Sequence, residues 1–380
     1  MKIKVTKSAI ESAAVILSKV INSKNPLPIL GDILCEVHEN VLHMTGSDGE
    51  SSITKTIGLL EMEGEADFCI DGGRLLAALR QIPEQPITIT CTTEDDYMFT
   101  IEHQDGQMHF LAEHSEEYPV ILEEKWSSQV ELEGERIGEA IKRCLWAACV
   151  DDLRPAMCGI HMQTVAKYGA LDIVASDGHT LVRNRLTEWN HDSINQDIKI
   201  DATIPTKIAK IMADTLTEEE PITLVFGKGK CQIETDSYTM ICRLIDAPYP
   251  KYNSVIPSDN VIEACVSRSN LTNAVKRVLP FAPDTSQLLQ LHFDETELRV
   301  VSNDFDFNEG ASDKVAARYN HSQPLTIGLK GSTLLKALGY INNLDVCIKM
   351  SDPSRAVLLE PKEQPKTEVT ILLMPLLLNE

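Results

Sequence analysis

The chain has 380 residues, of which 43% are hydrophobic and 24% are charged, and its formal net charge at pH 7 is −22. This length predicts two or three domains, and no apolar run approaches the roughly 18 residues that a transmembrane helix needs. The N-terminus lacks the basic segment and apolar stretch of a signal peptide, so we expect a cytoplasmic protein. The 10 cysteines form no CxxC pair, which predicts buried free thiols rather than disulfides or a zinc site.

The first third of the chain predicts four elements in the order helix, strand, helix and strand. Apolar residues recur at helical spacing in residues 8–22 and indicate an amphipathic helix. Residues 42–48 then predict a strand that ends in a polar turn. Residues 73–82 predict a second helix, and residues 86–90 predict a strand rich in β-branched side chains.

The same four elements recur twice more in the same order. They occupy residues 135–149, 171–177, 205–216 and 221–225 in the middle of the chain, and residues 270–281, 298–304, 331–341 and 344–349 near its end. The starts of the three series lie about 130 residues apart, which is the length of an ordinary domain. This repeat predicts an α+β protein of three similar domains, each with two helices packed on antiparallel sheets, which we place at residues 1–125, 126–257 and 258–380.

Lysines and arginines are concentrated on the six predicted helices and their flanks, whereas the rest of the chain is strongly acidic. A basic helical surface on an acidic protein can hold phosphate on one face and repel it from the others. Ordinary solvated helix faces are the alternative interpretation. The charge distribution therefore favours a nucleic-acid partner that meets the helices.

Four short motifs resemble the β sliding clamps of bacterial DNA polymerase III. They are residues 27–31 (LPILG), 176–181 (SDGHTL), 249–257 (YPKYNSVIP) and 373–375 (LMP), and with the repeat they extend the resemblance over essentially the whole chain. The resemblance implies the DNA clamp fold: a head-to-tail homodimeric ring of six domains, with helices around a central hole for duplex DNA. It implies a processivity factor rather than an enzyme, without a cofactor or a metal, whose partners are the polymerase α subunit, the clamp loader δ subunit and other proteins with clamp-binding motifs.

The resemblance and the charge pattern together predict a set of residues that face DNA. They are Lys24, Arg74, Arg80, Lys142, Arg143, Arg154, Lys207, Lys210, Lys276 and Arg277. Weak phosphate contacts that do not depend on base sequence would centre the duplex and still permit sliding. Pro155 and Ala156 stand where the family often has aromatic residues beside DNA, so a stacking contact is not expected there.

The resemblance also implies a groove between the second and third domains that receives partner peptides. Its residues would be Met157, Ser176, Gly178, His179, Thr180, Leu181, Pro250, Ser254, Val255, Leu372, Met374, Pro375, Leu376 and Leu378. Because a proline interrupts strand pairing, we expect residues 376–378 to line the pocket rather than continue a sheet.

The chain departs from the family within the predicted groove. Thr180, Ser254 and Leu377 stand where the family often has arginine, and Asn379 and Glu380 extend past its usual end. These departures predict a more apolar capture of peptides.

The dimer contact implied by the resemblance pairs an edge strand of domain one with domain three of the partner. Met108 and Phe110 would lie on one side and Leu279 and Phe281 on the other. Such pairing would also cover edge strands that are otherwise prone to aggregation.

Two other functions remain open at this point. Ser176, Asp177 and His179 could serve a hydrolase, but the equivalent strands of the other repeats end in residues 47–48 (SD) and 303–304 (ND) without a histidine, and no GxSxG elbow is present. The histidines at 109, 114 and 161 do not have a metal-binding spacing. The second alternative is a protein-binding scaffold unrelated to DNA.

Overall fold

A computed structural model of the chain describes residues 1–22, 24–92, 97–119, 126–187, 199–304, 307–364 and 366–378. Six α-helices lie in this part of the chain: α1 (Lys7–Leu17), α2 (Gly72–Leu79), α3 (Gly134–Leu145), α4 (Thr206–Thr215), α5 (Arg268–Val278) and α6 (Gly331–Gly339). All six were predicted, and each begins within two residues of its predicted start. The predicted tail at Asn379 and Glu380 lies outside the described residues, as does the predicted domain end at residue 125.

The predicted strands are also present, among others that the sequence pattern did not single out. The first repeat contains β1 (Lys2–Thr6), β2 (Asp32–His38), β3 (Val41–Ser47), β4 (Ser51–Gly58), β5 (Glu61–Glu63), β6 (Ala66–Asp71), β7 (Pro86–Thr92), β8 (Met98–His103), β9 (Gly106–Leu111) and β10 (Glu113–His114). The second contains β11 (Trp126–Glu133), β12 (Gly159–Val165), β13 (Ala170–Ser176), β14 (Thr180–Leu186), β15 (Asp201–Pro205), β16 (Pro221–Gly227), β17 (Lys230–Glu234) and β18 (Thr239–Arg243). The third contains β19 (Ile262–Ser267), β20 (Leu288–Phe293), β21 (Glu297–Asp304), β22 (Glu309–Tyr319), β23 (Leu325–Lys330), β24 (Asp345–Met350), β25 (Val357–Pro361) and β26 (Thr367–Leu373).

Strand pairing joins neighbouring repeats into continuous sheets. The three sheets have the orders β5-β1-β7-β8-β9, β10-β6-β2-β3-β4-β18-β17-β16-β11 and β15-β12-β13-β14-β26-β25-β24-β19-β22-β21-β20-β23. In the second sheet β4 of the first repeat pairs antiparallel with β18 of the second, and Ser51 lies opposite Cys242. In the third sheet β14 pairs in the same way with β26, and Thr180 lies opposite Leu373. The same edge of each repeat is therefore used to bind the next one.

Because of these pairings, the two compact units of the chain do not follow the repeats. The described residues of the first unit belong to Met1–Gly138 and Lys210–Leu244, and those of the second belong to 139–191, Lys199–Ala209 and Ile245–Glu380. The first unit contains the first two sheets, and the second unit contains the third.

The helices cover the sheets with the apolar faces that the sequence predicted. In α5 the buried side chains are Leu271, Ala274, Val275 and Val278, at helical spacing. The predicted helix at 270–281 ends earlier, at Val278, and continues as one 3-10 turn over Leu279–Phe281. Pro280 explains this end, because proline has no N–H to donate within an α-helix.

Two of the 10 cysteines are joined, which corrects the prediction that all are free thiols. Cys265 on β19 and Cys347 on β24 lie opposite each other, their Cα atoms are 4.1 Å apart, and they form a disulfide. The residues are 82 positions apart in sequence, so only strand pairing brings them together. The other eight are free, and Cys158 is only partly buried. No helix among the described residues has the length and apolar character needed to cross a membrane.

Candidate functional site

The turn from β13 to β14 is held rigidly by its own side chains. Ser176 Oγ donates to the carbonyl oxygen of Thr180 at 2.8 Å and accepts from the Gly178 N–H at 3.1 Å. Asp177 Oδ1 accepts from the N–H groups of His179 and Thr180 at 2.9 and 2.7 Å. Gly178 has a φ of +92°, which L-residues with a Cβ rarely adopt. The motif at 176–181 is thus a structural turn, and its serine and aspartate are occupied by backbone groups rather than arranged as a nucleophile and a base.

The first repeat builds the same turn between β3 and β4. Ser47 Oγ donates to the carbonyl oxygen of Ser51 at 3.0 Å, and Asp48 Oδ1 accepts from the N–H groups of Glu50 and Ser51 at 3.0 and 2.7 Å. Gly49 has a φ of +91°. The strand from the next repeat also arrives in the same way, because the Arg243 N–H donates to Glu50 at 3.0 Å as the Met374 N–H donates to His179 at 2.9 Å. The two junctions therefore share one backbone framework and differ in their side chains.

An aliphatic cluster lies beside the turn of the second junction. Its buried members are Val174, Leu181, Ala356, Leu358 and Leu372, with the ring of Tyr252, and we call this set the groove floor. Tyr249 and Ile256 pack against it from the segment that links the second and third repeats. Of these residues Leu181 and Leu372 were predicted to lie in the groove, and the others were not. The pairing of β13 with β14, β14 with β26 and β26 with β25 places Val174 and Leu358 on the same face, and no local pattern in the sequence carries that register.

The equivalent positions of the first junction are mostly polar. Strand register aligns Leu181 and Leu372, which lie opposite each other, with Ser52 and Ile241. By the same rule Val174 corresponds to Thr45, and Leu358 corresponds to Gln232. Glu50 and Arg243 form an ion pair at 3.0 Å in the place of His179 and Met374. These four aligned positions are therefore apolar at the second junction and mostly polar at the first, where a different apolar cluster of Leu30, Leu34, Cys69 and Tyr118 lies near the turn.

The C-terminal segment forms a partly exposed edge of this region. Met374 is 45% exposed and Leu377 is 77% exposed. Leu376 is different, because its N–H donates to Gly328 of β23 at 2.8 Å in an isolated antiparallel bridge. β26 ends at Leu373 and Leu376 makes one isolated bridge rather than a strand, so the lining of the pocket by 376–378 stays a prediction. Gly328 permits this approach, since a Cβ there would lie 2.6 Å from the Leu376 carbonyl oxygen and 2.8 Å from Leu378 Cδ2.

The remaining predicted groove residues lie on two further segments. Pro250, Ser254 and Val255 flank Tyr252 in the linker, where Tyr252–Ser254 form a 3-10 turn, and Val255 is 56% exposed. Met157 ends the 3-10 turn Pro155–Met157, and its carbonyl oxygen accepts from the Cys149 N–H at 3.0 Å. The second unit thus contains all of the predicted groove residues.

Arg154, which was predicted to face DNA, is held by the turn at 176–180. Its Nη1 donates to the carbonyl oxygen of Asp177 at 2.7 Å, and its Nε donates to Asp151 Oδ2 at 3.3 Å. In the first repeat Asn25 Nδ2 makes the corresponding bond to the carbonyl oxygen of Asp48 at 2.8 Å. Arg154 therefore has a defined role in fixing the turn, whatever contact it makes with phosphate.

The other predicted DNA-facing residues lie on or beside helices, and all but Arg143 are exposed. Exposed members are Lys24, Arg74, Arg80, Lys142, Lys207, Lys210, Lys276 and Arg277. Arg143 is largely buried, with 14% of its side chain exposed, and pairs with Glu139 one turn earlier. Arg277 pairs with Asp313 of β22, and Arg74 lies 3.7 Å from Asp71. Lys142 on α3 and Lys276 on α5 are exposed, and in each helix the next residue is an arginine that already forms an ion pair.

Two of the predicted dimer residues lie on a terminal strand of the first sheet, and the other two lie in the 3-10 turn after α5. Met108 and Phe110 are half-buried on β9, whose one partner strand among the described residues is β8, and the Phe110 ring lies 5.0 Å from that of Phe99. Leu279 and Phe281 follow α5, and Phe281 is exposed. In the same unit as Leu279, β19 pairs with β22 at Ala317–Tyr319, and no described strand pairs with that side of the earlier part of β22.

One group of potential metal ligands comes together among the described residues. Glu263, Cys265 and Cys347 offer atoms within 4.8 Å of one another, but the two sulfurs are bonded to each other. The oxidised pair offers no thiolate to a metal ion.

Comparison with known proteins places the whole chain in one family. The family models for the DNA polymerase III beta subunit match its N-terminal domain at residues 1–122, its central domain at 131–251 and its C-terminal domain at 253–376. The beta sliding clamp of Pseudomonas putida is 22% identical over 95% of each chain, and that of Lactococcus lactis is 23% identical over 96% of each.

Solved structures agree in fold over the full length of the chain. The DNA polymerase sliding clamp from Pseudomonas aeruginosa has a TM-score of 0.91 at 21% identity, and the Helicobacter pylori beta clamp bound to DNA ligase peptide has a TM-score of 0.87 at 20% identity. Both likenesses cover 100% of each chain. From the three matched domains we conclude that this chain belongs to the DNA polymerase III beta subunit family, the bacterial sliding clamps.

Proposed function

We propose that two copies of this chain close a ring around duplex DNA and tether the replicative polymerase to it, without catalysis by the ring itself. The observation that carries the proposal is the match of all three domains of the family, in order, along the chain. The proposed domains are residues 1–125, 126–257 and 258–380, and the proposed location is the cytoplasm. A ring confers processivity by topology, so it needs no tight contact with the DNA.

Internal repetition supports a specific way of closing the ring. Within the chain, β4 binds β18 and β14 binds β26. In the third repeat β22 is the structural equivalent of β4 and β14, and in the first repeat β9 is the structural equivalent of β18 and β26. A head-to-tail dimer would satisfy both open edges by the same pairing, and a twofold axis makes the two contacts identical.

The strand registers of the two internal junctions also predict the register of the proposed dimer junction. Ser51 lies opposite Cys242, and Thr180 lies opposite Leu373. Their counterparts are Glu309 on β22 and Phe110 on β9, so we expect these two residues to lie opposite each other across the dimer. Met108 would then face Ala311, with Leu279 and Phe281 of the partner copy nearby.

The basic helix faces are the proposed contact with DNA. Lys24, Arg74, Arg80, Lys142, Arg143, Lys207, Lys210, Lys276 and Arg277 would meet phosphates, with Arg154 at the edge of this surface. Phosphate contacts position a duplex without reading its sequence, and the acidic remainder of the chain repels DNA from other surfaces. This division of charge suits a ring that must slide.

The groove floor and its rims are the proposed site for partner peptides. A relative has been crystallised with a DNA ligase peptide, and an extended peptide that carries apolar anchors would here pack on the exposed Val255 and Met374, which belong to segments beside the buried groove floor. The proposed occupants are motifs of the polymerase α subunit, the clamp loader δ subunit and other clamp-binding proteins. Thr180, Ser254 and Leu377 supply no charge, so binding would depend little on salt.

Retention on DNA of different topology tests the ring. With the cognate clamp loader and ATP, the protein should stay on nicked circular plasmid during gel filtration and leave the same plasmid after one cut makes it linear. A DNA-binding scaffold that does not encircle would be retained equally on both forms, and a scaffold unrelated to DNA would be retained on neither. Either result contradicts the proposed ring.

A further inference from the structure

A buried ion pair lies beneath the linker that carries one rim of the groove. Asp172 on β13 is fully buried and Arg185 on β14 is 6% exposed. The Arg185 Nε and Nη2 donate to Asp172 Oδ1 and Oδ2 at 2.8 and 2.9 Å, which is the two-pronged geometry of a strong pair. The bond to Asp172 raises the pKa of Arg185 above its usual value, and the Arg185 guanidinium lies 4.3 Å from the ring centre of Tyr168.

The same carboxylate reaches the linker through Tyr252. The Tyr252 hydroxyl lies 2.9 Å from Asp172 Oδ2 and 3.0 Å from Gln163 Oε1, both of which are acceptors. A hydroxyl has one proton to donate, and the charged oxygen is the stronger acceptor. The ring of Tyr252 belongs to the groove floor, so one side chain connects the ion pair with the apolar surface.

The backbone after Tyr252 depends on where this side chain is held. The Val255 N–H donates to the carbonyl oxygen of Tyr252 at 3.2 Å, and Ser254 Oγ donates to the carbonyl oxygen of Lys251 at 2.7 Å. These bonds make a short turn that carries Ser254 and Val255 on one rim of the groove. Fixing the Tyr252 hydroxyl therefore fixes the position of that rim.

The other repeats lack this arrangement at the corresponding strand pair. In the first repeat the opposed residues are His43 and Thr56, whose side chains share a hydrogen bond of 2.9 Å. In the third repeat they are Arg299 and Lys314, two like charges. The buried pair occurs at the junction that has the apolar floor and is absent from the corresponding described positions elsewhere.

Stability alone does not explain the pair. The cost of removing two charges from water roughly cancels their attraction, so an apolar pair of the same size would often stabilise the fold as well or better. We propose that Asp172, held by Arg185, is a positioning residue for the peptide groove: it holds the Tyr252 hydroxyl and thereby keeps the rim at Ser254 and Val255 in its binding position. This inference rests on the proposed peptide-binding function of the groove.

The test uses the full chain as a dimer and a fluorescent peptide with a polymerase clamp-binding motif, measured by anisotropy. Tyr252→Phe removes the hydroxyl and leaves the ring and the ion pair in place, and it should raise the peptide Kd by about tenfold, since a lost bond to a charged group contributes about that factor. Asp172→Asn should act in the same direction. The double variant should bind no more weakly than the weaker single variant, because both changes break one link.

Tyr238→Phe is the matched control. Tyr238 is 5% exposed and its hydroxyl lies 2.6 Å from Thr215 Oγ1, so this variant loses a buried hydroxyl bond between two residues that belong neither to the groove floor nor to its rims. It should lower the Tm about as much as Tyr252→Phe and leave the peptide Kd unchanged. Gln163→Leu, which removes the neutral acceptor, should have a small effect on Kd.

The outcomes distinguish failure of the proposed groove function from failure of the proposed positioning role of Asp172. If the unmodified chain does not bind the peptide, the proposed function of the groove fails. If it binds and Tyr252→Phe binds equally well, or if Tyr238→Phe weakens binding as much, the positioning role is wrong. A large loss in Gln163→Leu with none in folded Asp172→Asn would assign the role to the amide and overturn the role of Asp172.

Discussion

His161 is a buried histidine that links the second repeat to the linker. It is 2% exposed, its Nδ1 lies 3.0 Å from Thr203 Oγ1, and its ring stacks on that of Tyr249 with centres 4.4 Å apart. Burial lowers the pKa of His161 from 6.5 to about 4. Nothing in the sequence around position 161 distinguishes this histidine from an exposed one.

This depressed pKa predicts a loss of stability on acidification. Between pH 6.5 and about 4, the unfolded chain binds a proton at His161 that the folded chain does not, so the free energy of unfolding falls as the pH falls. Across the whole interval this group contributes about 3 kcal/mol. Urea unfolding at several pH values measures the effect.

The comparison variant is His161→Gln, which cannot titrate in this range. Its free energy of unfolding should decline less than that of the unmodified chain between pH 7 and pH 5. Asp32 changes the free energy of unfolding in the opposite direction. Burial together with Glu113 and Asp71 raises its pKa to about 6, so the folded chain favours the protonated form of this group. Since both proteins retain Asp32, parallel pH curves for the two proteins would show that His161 does not titrate as described.

At the scale of elements, the C-terminal segment allows a local test of the groove. Met374 and Leu377 lie three positions apart and are both exposed. Of the two, Met374 directly follows β26, and its N–H donates to the carbonyl oxygen of His179 in the turn. Met374→Ala should raise the Kd of a polymerase peptide by about tenfold, as expected for an anchor contact. Leu377→Ala, three residues further along the tail, should raise it less.

Fluorescence anisotropy titration of both variants measures the two peptide Kd values. An equal loss of affinity in both would mean that the whole tail, rather than Met374, contacts the peptide. No loss in either would move the site away from this edge. Point variants are preferable to deletion of the tail, because Leu376 pairs with Gly328 and its removal would also expose β23.

The helices offer a test of the surface proposed to meet DNA. Lys142→Glu combined with Lys276→Glu changes two exposed residues on α3 and α5 and leaves the ion pairs of Arg143 and Arg277 intact. DNA retention should fall, and the dependence on salt should weaken, because each lost phosphate contact removes about 0.9 from the slope of log K against log salt.

A double variant with the same change of charge serves as the control. Lys228→Glu with Arg318→Glu alters exposed residues in the β16–β17 turn and on β22. It should leave retention on circular DNA and its salt dependence close to those of the unmodified chain. If both double variants lose DNA equally, net charge rather than the helix surface governs the interaction.

At the scale of the whole molecule, closure of the ring depends on two open strand edges. Phe110→Asp would place a second carboxylate opposite Glu309 in the proposed interface, where like charges are costly once water is removed. We expect this variant to be a monomer at micromolar concentration, whereas the unmodified chain is a dimer. Light scattering coupled to gel filtration gives both masses.

Leu344→Asp provides the control for this prediction. Leu344 is 88% exposed and lies outside β9 and β22, so its substitution should leave the dimer intact. A dimeric Phe110→Asp protein, or a monomeric unmodified chain, would contradict pairing through β9.

Much of this architecture follows from local pattern in the sequence. Helical spacing of apolar residues predicted α1, α3 and α5, because the burial of a helix face repeats within a few positions along the chain, and the recurring order of elements predicted α2, α4 and α6. The polar turns after β3, β13 and β21 were also visible, and their repetition predicted three similar domains. The family motifs then located the turn at 176–181 and the C-terminal edge.

The tertiary structure alone decided which of these local elements meet. The partners in the groove floor, such as Val174 and Leu358, are far apart in sequence, and their polar counterparts Thr45 and Gln232 are recognised only through strand register. The same is true of the bridge from Leu376 to Gly328 and of the disulfide. Asp172 and Arg185 become a buried pair only because β13 and β14 place them opposite each other, and Tyr252 joins them from another segment. Periodicity records which face of an element is buried, whereas register and the path of the linker determine what lies against that face.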